Sequence, residues 1–579
     1  MVVQNAGVPM SNVTRYLCAA AYLDSEFRYR VLDELLADPY RAVPPSYGGF
    51  DLIPVLHHCR RSQQLLLIRD ILISALFAAG LLISPLTALN WIFVLIPFAL
   101  LTGRRVRRWP IILRLLIWFW AVYGIFSMFA AVIFSLYIAM FDTGRYDSLG
   151  YGSSDFGLPE PLAALGAGGT LTQSLFVPAA TLGVAVIYRV VIYLTLAGSL
   201  RPGTPEPPGR AVHPQTSARL DYIRRAQWGN ITMYGNENAF LGAGRVERTW
   251  SIAVELDRVR DGAGSRRQHT PVDIDPVDLH AFVRRRMAEM RDHVLRPNEG
   301  VQRLDIGDHV VMRGLFTVAD WTGRRLPGAH PFIGKDGLPR YQATPEEIAA
   351  ITRHPQGGVR YYQRVTIGNA GQEIRDAKGE LVAPAAEQEA LTSAFIYLAV
   401  EGRMLYTQFV VTVLPPVLDP YHVVDRLPSM NPGRIAWEAV RVLRLRLLRD
   451  VLAAPARVVR TAVQAVRQGV TARDPRAHIV YPYGALRSVR ELGADTDMQT
   501  YIQTLDVAKY VKMIEHRLTE AVLDYLEERQ VDTGAYRLQA AGVTMNATVT
   551  VGPGATVSGP MAFGPHSSAT LHGTAGATS

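Results

Sequence analysis

The sequence predicts a membrane protein with four transmembrane helices, a cytoplasmic α+β domain containing an antiparallel sheet, long C-terminal helices and a short β-prone tail. Long apolar runs are confined to residues 64–200 of the 579-residue chain. Arginines are concentrated in alternate loops between these runs, which is typical of short cytoplasmic loops. Residues after 216 instead show the strand-like and helix-like patterns of an ordinary soluble domain.

Residues 1–63 are predicted to form a cytoplasmic helical region. Apolar residues recur at helical spacing after Ser25, which is a candidate N-cap. His57, His58 and Cys59 are adjacent, but successive residues on a helix point about 100° apart and do not converge on one metal ion. The chain has two cysteines and therefore no disulfide framework, and its first residues do not resemble a secretory signal peptide.

Residues 64–200 contain four apolar runs, and each is interpreted as a transmembrane helix because about 20 apolar residues span a bilayer. The runs are Ile71–Ser84, Pro85–Leu101, Leu115–Phe141 and Thr172–Leu200. The first two are short, so a re-entrant pair that does not cross the bilayer is the alternative for them. Pro85 and Asn90 predict a tight turn between these two runs. Arg69 and Asp70, at the start of the first run, are expected to pair with each other or to lie at the lipid headgroups.

The charges of the loops give the predicted orientation. Four arginines lie in residues 103–109, after the second run, whereas residues 142–169 contain four acidic residues and one arginine. This pattern places both termini in the cytoplasm, and the composition, rich in arginine, alanine, glycine and proline, indicates a GC-rich bacterium and hence a bacterial plasma membrane. Arg189 lies within the last run and is the intramembrane polar candidate, with Asn90 or a backbone carbonyl as its expected partner.

Residues 201–216 are a proline-rich linker, and residues 217–430 are predicted to be the cytoplasmic α+β domain. Within that domain, Thr344-Pro-Glu-Glu347 is a capping box with proline at the first helical position. Glu401-Gly-Arg403 separates two apolar runs and predicts a β-hairpin. These two motifs are the clearest local structure predictions in the domain.

No motif predicts a catalytic, cofactor-binding or metal-binding residue. Gly242-Ala-Gly244 lacks the third glycine and the following helix of a dinucleotide site. The aspartates at 273, 275 and 278 offer a hard-cation site together with Asp305 or Asp308, but a turn and a helix N-terminus explain the first three equally well. Asp308-His309 is a conceivable acid–base pair, although this dipeptide on a strand is usually structural.

Residues 431–540 are predicted to be helical, beginning with the arginine-rich segment Arg434–Arg473. Valine and leucine gather on one helical face and arginine on another, with a break near Val442 and a kink expected at Pro455. Beside a membrane, this pattern is typical of a helix that binds anionic lipid headgroups. The arginines predicted to face the membrane are Arg441, Arg446, Arg449, Arg457, Arg460 and Arg467. The alternatives are a helix packed on its own domain with a solvated basic face and, more weakly, a contact with nucleic acid.

A second long helix is predicted over residues 498–528. Its apolar stripe has a 3.5–3.6 repeat, which fits either self-association into a homo-oligomer or packing within the domain core. The tail, residues 541–579, begins with alternation of Val543, Met545 and Ala547 with polar residues, which is a β-strand pattern. The last residues of the tail are expected to be disordered.

Several segments resemble a family of uncharacterised multi-pass membrane proteins from high-GC Gram-positive bacteria. The resemblance is carried by Thr14–Tyr22, by Gly229–Gly235 with Phe240–Gly244, and by Tyr510–Asp532. The glycine-rich tail around Ala562–Pro565 also resembles the tails of some bacterial conflict-system proteins. This resemblance implies a membrane location and no particular activity.

The favoured function is therefore a non-enzymatic one, in which membrane helices hold a cytoplasmic interaction or sensing module that binds an unidentified protein partner. A small oligomeric transporter or pore is the first alternative. It ranks second because four spans with one buried charge provide little to line a pathway. An enzyme with an unrecognised site in residues 217–430 is the second alternative.

Overall fold

The computed structural model describes residues 9–83, 85–101, 106, 109–141, 171–205, 214–259, 271–295, 299–316, 330–370, 373–442, 446–470 and 480–547. The chain divides into two compact units, and neither is continuous in sequence. The helical unit comprises Met1–Ala37, Asp51–His213 and Asp419–Asp474, and the sheet unit comprises Asp38–Phe50, Pro214–Leu418 and Pro475–Ser579. The predicted outer loop 142–169, the arginines at 104, 105, 107 and 108, and residues 548–579 of the tail lie outside the described residues.

The α-helices and strands are numbered here in chain order. The helices are α1 (Asn12–Leu23), α2 (Ser25–Leu36), α3 (Leu52–Ile83), α4 (Pro85–Leu101), α5 (Ile111–Phe141), α6 (Leu171–Ser199), α7 (Pro214–Ala226), α8 (Pro276–Asp292), α9 (Pro345–Thr352), α10 (Val423–Arg426), α11 (Pro432–Arg441), α12 (Arg446–Leu452), α13 (Ala454–Val470), α14 (Val489–Leu492), α15 (Tyr501–Glu528) and α16 (Gly534–Ala547). The strands are β1 (Ile231–Tyr234), β2 (Arg245–Glu255), β3 (Leu304–Arg313), β4 (Leu315–Phe316), β5 (Val359–Ala370), β6 (Ile374–Arg375), β7 (Leu381–Ala383), β8 (Glu387–Glu401), β9 (Met404–Leu414) and β10 (Tyr481–Pro482).

The helical unit begins with α1 and α2, which pack on the first half of α3. Asp24, rather than the predicted Ser25, is the N-cap of α2, and its carboxylate accepts hydrogen bonds from the backbone N–H groups of Glu26 and Phe27. A carboxylate at this position satisfies N–H groups that the helix itself leaves without partners. Residues 52–61 are the beginning of the continuous 32-residue α3.

Apolar helices occur at all four positions of the predicted spans, but they differ in length and composition. Of the residues that the structure describes, two helical stretches are long and apolar enough to cross a membrane, Leu52–Leu82 and Val177–Ser199. Ala88–Leu101 and Ile111–Ser127 are shorter apolar stretches by the same criterion. Asn90 lies within α4 and not in a turn, because α4 begins at Pro85, where proline fits the first turn of a helix.

The arginine-rich segment forms three consecutive helices, α11, α12 and α13, and not one kinked helix. The break after α11 falls at Val442, as the sequence predicts, where the N–H group bonds back to Glu438 and Val440. Pro455 does not kink a helix interior; it is the second residue of α13. Proline is tolerated there because the first N–H groups of a helix have no intrahelical acceptor.

The sheet unit is built on a six-stranded sheet with the order β1-β3-β5-β8-β9-β2. The prediction of a purely antiparallel sheet is wrong at one edge, where β1 pairs parallel to β3 from Ile231↔Val310 to Tyr234↔Arg313. The other neighbouring pairs are antiparallel. The sheet is therefore mixed, and mixed sheets are common.

Two predicted motifs of the sheet unit are confirmed. Gly402 and Arg403 form the two-residue β8–β9 turn with φ angles of 57° and 65°, and Glu401 pairs with Met404 across it. Positive φ at both central residues matches the twist of the flanking strands. In the capping box of α9, Thr344 accepts a hydrogen bond from the backbone of Glu347, and the Glu347 side chain accepts one from the backbone of Thr344.

Helices α8 and α15 cover one face of the sheet and form the main core with it. The contributing side chains of β5, β8 and β9 include Val365, Ile396 and Phe409, all fully buried. Ile514, Leu518 and Val522 of α15 are buried in the same cluster. The C-terminal part of the predicted 498–528 stripe is thus core, which leaves only its first turns, including Tyr501, Ile502 and Leu505, exposed.

Candidate functional site

The most unusual arrangement in the helical unit is a buried ion-pair network centred on Asp70 in α3. The Asp70 side chain is 3% exposed. Arg69 donates to its Oδ1 from Nε at 2.9 Å and from Nη2 at 2.7 Å. Arg457 of α13 donates from Nε to Oδ2 at 2.6 Å and from Nη2 to Oδ1 at 2.9 Å. The prediction that Arg69 and Asp70 pair with each other is therefore confirmed, and Arg457 is a further partner.

This network connects the arginine-rich segment to the first apolar helix. Burying a carboxylate costs several kcal/mol unless cations and hydrogen bonds offset the loss of water. Two guanidinium groups on one carboxylate meet that requirement. The sequence could have indicated Asp70 as an anchor, because it is an acidic residue directly before a long apolar run, but the identity of its distant partner depends on the fold.

Apolar packing reinforces the connection. Val451 and Ala454, from the end of α12 and the start of α13, are fully buried in a cluster with Ile73, Trp91 and Leu95 of α3 and α4. Leu447, Leu448 and Leu452 pack against the same cluster. The apolar face of α12 is thus buried against the apolar helices of its own unit, whereas Val459 and Val463 of α13 are 63% and 46% exposed.

The predicted membrane-facing arginines have different surroundings. Arg457 is engaged by Asp70. Arg441 is exposed and pairs with Glu438 at 2.8 Å, and Arg449 is exposed and lies 3.9 Å from Asp450. Arg460 is exposed on α13. Arg446 and Arg467 lie in α12 and α13, and their side chains are outside the described structure.

Arg189 has an aromatic partner within α6. Its guanidinium carbon lies 5.0 Å from the ring centroid of Tyr193, one helical turn away. Tyr193 was not among the partners expected from the sequence, which were Asn90 and a backbone carbonyl. A second polar contact joins α4 and α6, where Trp91 Nε1 donates to Thr181 Oγ1 at 3.1 Å. Such hydrogen bonds between apolar helices fix their relative register.

The net charge is distributed unequally between the units. The chain carries a net charge of +9, and the whole of this excess lies in the helical unit, whereas basic and acidic residues are equal in number in the sheet unit. An electrostatic attraction to anionic surfaces would therefore act on the helical unit.

In the sheet unit, Asp308 and His309 do not form an acid–base pair, because adjacent residues of β3 point to opposite faces of the sheet. Asp308 accepts hydrogen bonds from Tyr361 at 3.0 Å and from Arg284. His309 is fully buried, with Nδ1 at 2.7 Å from the Tyr47 hydroxyl and Nε2 at 3.1 Å from the Ala239 carbonyl. Burial lowers the pKa of His309 to about 3, so it is a neutral structural residue at pH 7.

The aspartates near residue 275 have structural roles as well. Asp275 is the N-cap of α8 and accepts the backbone N–H of Val277. It also pairs with Arg353 at 2.6 Å, and this hydrogen bond lowers the pKa of the Asp275 carboxyl. Among the described residues, no group of three or more His, Cys, Asp or Glu side chains is placed to hold a metal ion.

A carboxylate of the chain itself occupies the loop Gly242-Ala-Gly244. The N–H groups of Gly242 and Gly244 donate to Glu491 Oε1 at 2.8 and 3.1 Å. Both glycines have positive φ, 98° and 95°, so their N–H groups converge on one anion. Burial raises the pKa of Glu491, and these two N–H groups oppose that effect. The sequence did not predict this use of the loop, because Glu491 is distant in the chain.

Taken together, these features define a two-unit protein, with a helical unit that carries the net positive charge and a sheet unit that contains a six-stranded mixed sheet and no net charge. A family model described as AbeC-like domain matches residues 249–558, more than half of the chain, and the chain belongs to this family. The match lies mostly in the sheet unit and also includes the arginine-rich segment. No curated protein and no solved structure matches the chain.

Proposed function

We propose that this chain is a bacterial plasma-membrane protein that presents a cytoplasmic interaction or sensing module. In this proposal, the helical unit crosses the membrane four times with both termini in the cytoplasm. The sheet unit is the cytoplasmic module. It carries no proposed catalytic residue, and an unidentified protein is its expected partner.

The observation that carries the proposal is the exposed apolar surface of the helical unit. Ile112, Phe119 and Phe126 lie seven residues apart along α5 and are each at least 70% exposed. In Leu52–Leu82 and Val177–Ser199, only 28% of the most apolar window is buried. A soluble protein rarely exposes a continuous apolar surface of this kind, whereas lipid chains cover it at no cost.

The charge distribution supports the same proposal for the membrane surface. The arginines assigned to it are Arg441, Arg446, Arg449, Arg457, Arg460 and Arg467. The helix α12 and the start of α13 pack against helices proposed to be in the bilayer, and Arg449 and Arg460 are exposed on α12 and α13. Each arginine near an anionic membrane surface contributes about 1 kcal/mol. Since Asp70 engages Arg457 in the folded chain, we expect Arg457 to contribute less than the exposed arginines.

A cysteine-labelling experiment tests the membrane topology. Single cysteines are introduced at Ser153 in the predicted outer loop, at Arg104 in the predicted inner loop and at Pro202 after α6. In intact cells, an impermeant thiol reagent should label only the cysteine at 153, and permeabilised cells should show labelling at all three. The native Cys18 and Cys59 are buried, so their background labelling should be low. Labelling at 202 from outside the cell would contradict the four-span topology.

Lipid binding can be tested with a synthetic peptide of residues 432–470. The peptide should bind anionic vesicles, bind neutral vesicles far more weakly, and dissociate as salt rises, because screening shortens electrostatic attraction. A peptide with Arg441→Glu, Arg449→Glu and Arg460→Glu should lose at least tenfold in affinity. A peptide with Arg441→Lys, Arg449→Lys and Arg460→Lys is the matched control and should retain binding. No binding to anionic vesicles at low salt would indicate that the segment is only a packing element of its own unit.

A small oligomeric transporter or pore is the second candidate, favoured by the buried Arg69–Asp70–Arg457 network next to the apolar helices. Ionisable groups at membrane depth often mark an ion pathway. Reconstitution of the full chain in planar bilayers distinguishes the candidates. A conductance that Asp70→Asn abolishes would favour a pore, and its absence would favour the anchored module.

The homo-oligomer predicted through residues 498–528 remains a proposal, but the structure leaves a smaller surface available for it. Within residues 498–528, the buried side chains of Ile514, Leu518 and Val522 are already used in the core. Self-association would therefore use the exposed Tyr501, Ile502 and Leu505 at the start of α15.

A further inference from the structure

Arg28 of α2 is a buried cation that no acidic side chain of the described residues neutralises. Its side chain is 6% exposed. The nitrogen Nη1 donates to the Ala21 carbonyl and to Ser62 Oγ of α3, each at 3.0 Å. Both acceptors are neutral, and within the described residues Nε and Nη2 make no hydrogen bond. A buried charge is costly unless it is paired, so this guanidinium group is suited to bind an anion.

Other buried arginines of the helical unit show how such a charge is compensated. Arg15 is 1% exposed and pairs with Asp425 at 2.7 Å. Arg69 is 7% exposed and pairs with Asp70 at 2.7 Å. Asp70 also pairs with Arg457, so a single carboxylate compensates two guanidinium groups. One positive charge of this network is therefore left in excess.

Arg28 and Arg69 lie near each other, beside Tyr188 of α6. Burial lowers the pKa of the Arg28 guanidinium, and the positive charge of Arg69 acts in the same direction. The guanidinium carbon of Arg69 lies 4.6 Å from the ring centroid of Tyr188. Tyr188 is within electrostatic range of both arginines. In the part of the chain that the structure describes, the Tyr188 hydroxyl and Arg69 Nη1 have no hydrogen-bond partner, so the cluster combines positive charge with free donors.

A phosphate group fits these donors. Guanidinium groups bind phosphate oxygens through paired N–H groups and carry the opposite charge, and a phenol hydroxyl adds one further donor. Together with Arg457 and Asp70, the cluster holds three guanidinium groups and one carboxylate, which leaves two positive charges in excess. An anion with several charged oxygens is therefore a suitable ligand.

Exposed apolar side chains beside the cluster favour a phospholipid as the source of the phosphate. Ile68 and Leu72 lie next to Arg69 and one turn after it on α3, and they are 54% and 49% exposed. Ile187, which precedes Tyr188 on α6, is 63% exposed. Acyl chains would cover these side chains, whereas a free phosphate ion would leave them in contact with water.

We propose that Arg28, Arg69 and Tyr188 form a binding site for the phosphate group of an anionic phospholipid. The lipid source rests on the membrane location proposed above, whereas the phosphate site itself does not. In that location, Arg69 lies at the cytoplasmic end of the first apolar run, at the level of the headgroups. A bound phosphate neutralises the excess charge and connects α2, α3 and α6.

Thermal unfolding of the full-length protein in a neutral detergent tests the ligand. Phosphatidylglycerol should raise the unfolding temperature as its concentration increases, because a ligand that binds only the folded chain stabilises it. Diacylglycerol, which has acyl chains but no phosphate, should leave the unfolding temperature unchanged. If inorganic phosphate stabilises the protein as strongly as phosphatidylglycerol, the phosphate site is supported and the lipid source is wrong. If neither phosphate compound stabilises the protein, the site is wrong.

Point variants distinguish this site from other basic surfaces of the protein. Arg28→Gln should lower the affinity for phosphatidylglycerol about tenfold, because it removes a charged donor. It should not lower the unfolding temperature of the lipid-free protein, because the charge that it removes is uncompensated there. Tyr188→Phe, which removes one neutral donor, should lower the affinity about fivefold.

Arg15→Gln is the matched control, because Asp425 already pairs with this buried arginine. It should lower the unfolding temperature of the lipid-free protein and keep the wild-type affinity for phosphatidylglycerol. Wild-type affinity in Arg28→Gln, or in Tyr188→Phe if Arg28→Gln does not fold, would overturn the proposal. That result would leave the four-span topology intact, since cysteine labelling tests the topology independently.

Discussion

The two units differ in where they place large apolar side chains. In the helical unit, Arg15 is 1% exposed and donates to the Leu200 carbonyl and to Asp425, whereas Phe119 is 73% exposed. In the sheet unit, Val365 and Leu518 are fully buried, and most charged side chains of α8, α9 and α15 lie towards solvent, although Glu515 of α15 is only 8% exposed.

In the membrane location proposed for the helical unit, this contrast indicates which interactions stabilise each unit. Burial of apolar side chains stabilises a fold only where the alternative is exposure of those side chains to water. A helical bundle whose outer surface is apolar therefore depends more than the sheet unit does on a few specific hydrogen bonds and ion pairs, such as that of Asp70 with Arg457. The following variants test that difference.

The largest expected effect is in the apolar core of the sheet unit. Leu518→Glu places a carboxylate among fully buried side chains and should prevent folding of that unit, since an unpaired buried charge costs several kcal/mol. Leu505→Glu, on the same helix but 52% exposed, is the matched control and should change stability by less than about 0.5 kcal/mol. Circular dichroism of the two variants, with thermal unfolding, measures whether the sheet unit folds and how stable it is.

The same pair of variants tests self-association through α15. If the wild-type protein sediments as an oligomer, the folded Leu505→Glu variant should sediment as a monomer. An oligomer that survives this substitution would place the contact elsewhere.

In the helical unit, the polar network should be the sensitive point. Asp70→Leu leaves two arginines without their shared carboxylate and should destabilise the unit by about 3 kcal/mol. Arg457→Met should cost less, because Arg69 still pairs with Asp70. Thermal unfolding in detergent gives both values, and Glu26→Gln, at an exposed ion pair, provides a control with little effect. Equal stability of Asp70→Leu and wild type would show that the network does not hold α13 to α3.

Acid should weaken the sheet unit through its buried histidines. Burial lowers the pKa of His280 to about 4 and that of His309 to about 3, from 6.5. Below pH 6.5 the unfolded chain binds protons that the folded chain does not, so stability should fall as pH drops from about 6.5 towards 4. The loss is about 1.4 kcal/mol per pH unit for each histidine.

A histidine variant separates this effect from that of the carboxylates. The free energy of unfolding of His280→Asn, measured with urea, should depend less steeply on pH than that of the wild type. Between pH 4 and 6 the difference in slope should correspond to one bound proton. His516→Asn, at an exposed site on α15, should keep the wild-type pH dependence of the free energy of unfolding. A wild-type slope in His280→Asn would contradict the assignment.

The smallest expected effect is at the capping box of α9. Thr344→Ala removes the acceptor for the Glu347 N–H and should cost about 1 kcal/mol. Thr344→Ser keeps an equivalent hydroxyl and should lie within a few tenths of a kcal/mol of wild type. Chemical denaturation of both variants provides the comparison.

Local structure was largely predictable from the sequence. The capping box at Thr344, the turn at Gly402 and the break at Val442 depend on residues within about four positions of each other, and all three predictions are confirmed. Ser25 was a reasonable cap by composition, but the preceding Asp24 takes that role because its carboxylate reaches two N–H groups. The β-pattern at Val543–Ala547 was a wrong prediction, since these residues end α16, whose Tyr536 and Ala540 are buried in the core.

The candidate site was predictable only in part. The arginines of α11–α13 and the adjacent Arg69 and Asp70 were visible in the sequence, because charge and periodicity are local properties. Their association was not, because 387 positions separate Asp70 from Arg457. The same holds for Glu491 and the Gly242–Gly244 loop, which are 249 and 247 positions apart at their two contacts.

The sequence by itself determined where the apolar helices lie, where the β8–β9 hairpin turns, and that the basic segment is amphipathic. These properties follow from the period of the hydrophobic residues, from helix caps and from turn residues. Each of these signals depends on residues that are close together in the sequence. Only the tertiary structure decided that β1 runs parallel to β3, that residues 38–50 belong to the sheet unit, and that 419–474 belong to the helical unit. Those outcomes depend on which distant faces bury each other, and side-chain packing sets that choice.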